Sequence, residues 1–134
     1  MKYGDALAIG PVYAGDGAKI YLRAVLNGRL VESKSYVRNA KRNNYVVEVR
    51  GRPGLFALVL NFCTLDNVTL LAKIQDLVDL PAPELDMCST ISKFKVADEV
   101  SYIPADDIVA GPMLTISNLG DIFIINHRPS PKAN

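Results

Sequence analysis

Between Val37 and Arg52 the chain reads VRNAKRNNYVVEVRGR, setting Arg38, Lys41, Arg42, Arg50 and Arg52 against a single acid, Glu48. Guanidinium and ammonium groups at this density are the chemistry that holds phosphates. Tyr21, Tyr36 and Tyr45 lie among them, with rings able to stack on bases. Over residues 19–52, nine basic side chains oppose only Glu32 and Glu48, a net +7. Residues 53–134 hold five basic side chains against ten acids, a net −5, and the overall charge of +1 conceals the contrast. Arg23, Lys34, Arg38, Lys41, Arg42, Arg50 and Arg52 are therefore the candidate nucleic-acid contacts. The same charges also suit a solvated strand edge, where Lys and Arg guard against aggregation. That plainer reading stands first, because charge runs are usually solvated and neither an RNP aromatic pattern nor C₂H₂ spacing is present.

Other reactive residue types fall into no catalytic pattern. His127 is the only histidine, so no Ser/His/Asp or Cys/His set has a second imidazole to draw on. Asp98 and Glu99 are adjacent, and strand neighbours point to opposite faces. Asp106 and Asp107 follow Pro104, where acids suit the capping of a helical turn. The glycines of GDALAIGPVYAGDGAK match neither GxGxxG nor GxxxxGK[ST], and a strand rather than a helix follows them. Cys63 and Cys88 lack CxxC spacing, and Cys63 sits in an apolar run as a small hydrophobe would. The expectation is a non-enzyme with no cofactor, no metal and no disulfide framework.

The elements that must position these residues read as β nearly throughout. Hydrophobic residues make up 49% and charged residues 22% of 134, the balance of one soluble globular domain over residues 1–134. Residues 1–17 read as an irregular lead-in and residues 127–134 as a tail. No apolar run is long enough to cross a bilayer, and the first residues lack the apolar core of a signal peptide, so the expected location is intracellular. Ala18 to Leu26 alternates apolar and polar, and Asn27-Gly28 marks a type I′ hairpin before a return strand over 29–38. LFALVLNFCTL is apolar on both faces, which predicts a central strand covered on both sides. QDLVDLPAPELDM, with two prolines and four acids, reads as a long surface loop with one helical turn near IQDLVDL. PADDIV predicts a brief 3₁₀ or helical turn, and MLTIS and IFIIN a last hairpin. The predicted fold is all-β, a small partly open barrel or sandwich of consecutive antiparallel hairpins with one short helical turn or two.

VESKSYVRNAKRNNYVVEVRG followed by LFALVLNFCTL resembles a β-rich C-terminal domain of animal transposable-element-derived proteins. EVSYIPADDIVAGPMLTIS is similar to the end of bromo-adjacent homology (BAH) modules, although Gly111-Pro112 stands where those often carry Lys-Cys. The resemblance implies a compact β-barrel that docks onto a protein, in a chromatin or nuclear setting. BAH modules that read methyl-lysine use an aromatic cage, for which Tyr36, Tyr45, Phe94 and Tyr102 are the aromatics on hand. The leading expectation is thus a non-catalytic module for a protein or peptide partner, using an exposed strand edge and an apolar patch. Binding of DNA or RNA through the basic region 19–52 is the alternative. No membrane partner is expected.

Overall fold

The computed structural model describes residues 2–9, 13–15, 18–36, 45–51, 56–66, 68–81, 91–118 and 120–125. Its strands are β1 (Lys2–Tyr3), β2 (Ala6–Ile9), β3 (Tyr13–Gly15), β4 (Ala18–Tyr21), β5 (Arg23–Leu26), β6 (Arg29–Glu32) and β7 (Val46–Val49). They continue with β8 (Phe56–Thr64), β9 (Leu71–Asp79), β10 (Ile91–Val96), β11 (Ser101–Pro104), β12 (Ile108–Ala110), β13 (Leu114–Asn118) and β14 (Asp121–Ile125). The helical content of the described residues is one 3₁₀ turn, Ala105–Asp107. The chain is all-β and its larger sheet curls into a partial barrel.

The long hairpin β8–β9 organises everything else. Each of its outer edges is shared by two neighbours. On β8, residues 56–58 pair with β7 and residues 62–64 with β4. On β9, residues 71–74 pair with β11 and residues 77–79 with β10. The gap on β8 is filled by the turn after β6, where the amides of Lys34 and Ser35 donate to the carbonyls of Val59 and Leu60 at 2.8 and 3.3 Å. A second sheet, in the order β1-β2-β5-β6, covers one face of this hairpin.

Apolar residues on both faces of β8 create two cores, as its unbroken hydrophobicity predicts. The larger core gathers Tyr3, Tyr21 and Val31 with Ala57, Val59, Phe62 and Ile74. The smaller gathers Val46, Leu58, Leu77, Phe94, Ile122 and Ile124. A register shift between Val59 and Asn61 inserts one extra residue, so odd positions before it and Phe62 after it face the same core. In the β8–β9 turn, the Asp66 Oδ1 accepts the amides of Val68 and Thr69 at 2.9 and 3.0 Å. These bonds to the charged form hold its carboxyl below the usual range.

Several expectations hold. Asn27 and Gly28 take φ of 52° and 77°, the paired positive values a type I′ turn requires. Residues 105–107 form the brief turn, and β13–β14 the final hairpin. Others need correction. Residues 18–26 are not one strand: the chain breaks at Leu22 because β4 joins β8 while β5 joins β2 and β6. The return strand stops at Glu32, where Ser33 to Tyr36 turns under a bond from the Tyr36 amide to the Ser33 carbonyl. IQDLVDL is strand rather than helical turn, since β9 runs to Asp79 along β8 and β10. The lead-in is not irregular either: it forms β1–β3 and buries Tyr3, Ala6 and Ala8. Periodicity over two to four residues is too short a signal to reveal these strands. The tail and residues 82–87 of the expected acidic loop lie outside the described residues.

Tyr3 links that lead-in to the core. Its ring meets Tyr21 edge-on at 5.9 Å, and the two hydroxyls share a hydrogen bond of 2.8 Å. Burial first, then this bond, push the Tyr3 hydroxyl up to about 12, against 10.0 ordinarily. The unfolded chain therefore releases the proton before the folded chain does. Tyr3's contribution is fully present below pH 10 and is lost as pH rises through the folded value. Urea midpoints should fall between pH 10 and 12, and fall less steeply in Tyr3→Phe. Equal slopes in the two proteins would contradict the assignment.

Candidate interaction surface

Of the seven candidate cations, Arg38, Lys41, Arg42 and Arg52 lie outside the described residues. The other three do not converge. Arg23 begins β5 in the four-stranded sheet, opposite Glu32 in register, with its guanidinium carbon 4.6 Å from the centre of the Tyr36 ring. Its Nε is buried and has no hydrogen-bond partner among the described residues. Lys34 sits in the turn that brings Tyr36 back, its side chain exposed.

Arg50 belongs to a different place, the end of β7 in the larger sheet. Its Nε lies 3.6 Å from Asp107 Oδ1, and its Nη2 donates to the Asp106 carbonyl at 3.3 Å. Both side chains of the pair are well exposed, so the bridge positions more than it stabilises. This also corrects the expected capping role, because no side-chain bond caps the 3₁₀ turn. Asp107 serves β7 instead.

The aromatics do not assemble a cage. Phe94 is buried in the smaller core, edge-on to Phe56 at 5.6 Å. Tyr36 stacks on Arg23, Tyr102 stands exposed on β11, and Tyr45 is half-buried with its hydroxyl bonded to Ser117. A cavity of about 110 Å³ lies between the β5–β6 turn and β12, well below the several hundred Å³ usual for ligand pockets. Cys63 is buried, and that burial pushes its thiol up, away from the reactive thiolate. Among the described residues no three potential ligands cluster for a metal, and no helix is long and apolar enough to cross a membrane.

The surface that stands out lies on β10, β14 and β13. Directly opposed residues share a sheet face, so Leu114 and Ile125, Ile116 and Phe123, and Ile91 and Ile125 lie on one side. The core residues Ile122, Ile124 and Phe94 occupy the other. Leu114 and Ile116 are 54% and 55% exposed, whereas Ile91, Phe123 and Ile125 are half-buried. Lys93 borders this apolar strip, 3.7 Å from Asp121 Oδ2 and 5.9 Å from the Phe123 ring centre. β13 ends its sheet, and no described strand pairs with its other edge. The alternation of MLTIS was legible in the sequence, but the edge position and the outward apolar face were not. Comparison with family models, curated proteins and solved structures finds no match for this chain.

Proposed function

We propose that the chain is a non-catalytic interaction module that takes up an extended segment of a protein partner along β13. The observation that carries this reading is an edge strand whose outward side chains, Leu114 and Ile116, continue an apolar sheet face. An added strand gains main-chain hydrogen bonds from the edge, and its alternate side chains cover Leu114 and Ile116.

The test is selection of a random peptide-display library on the purified chain. Enriched peptides should alternate apolar residues and bind Ile116→Lys at least about tenfold more weakly, a factor worth about 1.4 kcal/mol. Absence of enrichment, or equal binding to the variant, would overturn the proposal. A second reading, nucleic-acid binding, draws on exposed Lys34 beside the Arg23–Tyr36 stack. Labelled oligonucleotides should then bind with an affinity that falls steeply with salt and vanishes in Lys41→Glu/Arg42→Glu. No binding at low salt removes that reading.

A further inference from the structure

We infer that the strand seated on β13 is the β13 of a second copy, the two running antiparallel about a two-fold axis at Thr115. This rests on the reading of β13 as a strand-binding edge and names its occupant. The first support is a contrast among edges. β1 is two residues long and contains Lys2, β6 carries Arg29 and Glu32, and β11 ends in Pro104. β3 and β12 have three residues each. Short length, charge and proline are the usual guards against edge pairing. β13 has five residues, LTISN, with neither charge nor proline, so a second copy meets no like-charge repulsion there.

The second support is complementarity of the strand with itself. In a pair centred on Thr115, Leu114 of each copy lies opposite Ile116 of the other, twice over, and the apolar faces of the two sheets become continuous. Apolar cross-strand pairs of this kind stabilise sheets. The same register sets Thr115 opposite its own counterpart. Thr115 Oγ1 is buried and has no hydrogen-bond partner among the described residues of one copy. A facing threonine hydroxyl supplies one, and leaving such a group unmet is costly. In an antiparallel ladder alternate residues direct their N–H and C=O to opposite sides, so β13 retains groups for the new strand while paired with β14.

Sedimentation equilibrium of the full chain should show a concentration-dependent species of twice 14.6 kDa. Ile116→Lys, with circular dichroism confirming its fold, should weaken that association at least about tenfold. A disulfide scan then fixes the register. With Cys88→Ser as background, Thr115→Cys should link two copies on mild oxidation, because directly opposed residues lie within disulfide reach. Leu114→Cys and Ile116→Cys should not, since each then sits two residues out of step with its counterpart. A dimer indifferent to Ile116→Lys, or one linked through position 114 or 116 and not 115, would overturn the inference. So would a monomer at every concentration. A monomer that still selects peptides through β13 loses only the self-pairing, whereas a monomer that selects none loses the strand-binding function as well.

Discussion

Phe62→Ala should lower the unfolding free energy by about 3–5 kcal/mol, the range for emptying a buried aromatic site. Phe62 is 0% exposed in the middle of the larger core. It lies opposite Tyr21 on one side and Ala72 on the other, so it ties β4 to the central hairpin. The void cannot close easily, because β8 is hydrogen-bonded along both edges there and its backbone cannot sink inward. Urea unfolding followed by tyrosine fluorescence gives the value. Leu65→Ala, at a position 70% exposed, should stay within about 0.5 kcal/mol of the parent and serves as the control. A loss below about 1 kcal/mol for Phe62→Ala would mean that the core is not packed as described.

Gly111→Ala should be nearly as damaging, for a different reason. Gly111 follows β12 at φ +136°, a backbone region that L side chains rarely adopt. A methyl group there would stand 2.9 Å from Val47 Cγ1, 3.1 Å from Val47 Cα and 3.2 Å from the Val46 carbonyl oxygen. Val46 and Val47 are fully buried on opposite faces of β7, so neither can step aside without disturbing one of the two cores. Overpacking costs about 1–3 kcal/mol and an unfavourable backbone conformation a further 1–3 or so. Gly28→Ala is the comparison, since φ is +77° there and nothing among the described residues lies within 4 Å of the added carbon. The loss at Gly111 should exceed the loss at Gly28 by about 1 kcal/mol or more, from the close contacts together with the more extreme φ. Equal losses at both sites would refute the close approach of β12 to β7.

Local pattern alone settles that this chain is strand and turn. Alternation in Ala18–Leu26 and MLTIS, the paired positive φ demanded at Asn27-Gly28, and the two-sided apolar run of β8 are properties of residues within a few positions of one another. The structure keeps the turn, the two-sided strand and the last hairpin, but not the single alternation of Ala18–Leu26, since Tyr21 from the face read as polar is buried with Ala24 and Leu26 in the larger core. Pairing between distant segments decided the rest. It broke the strand at Leu22, because β4 and β5 have different neighbours, and drew IQDLVDL into β9. It also took up the short strands of the first fifteen residues, which bury Tyr3 against Tyr21. The basic stretch shows the same division. Its charge is plain in the sequence, yet Arg23 stacks on Tyr36 while Arg50 turns to Asp107, and only tertiary placement assigns those partners. The surface proposed for binding was the least legible of all. Leu114 and Ile116 alternate like any half-buried strand, and a two-residue period says which residues share a face but not whether another strand or solvent lies beyond. That depends on where β13 falls in the sheet order, a property of the whole chain.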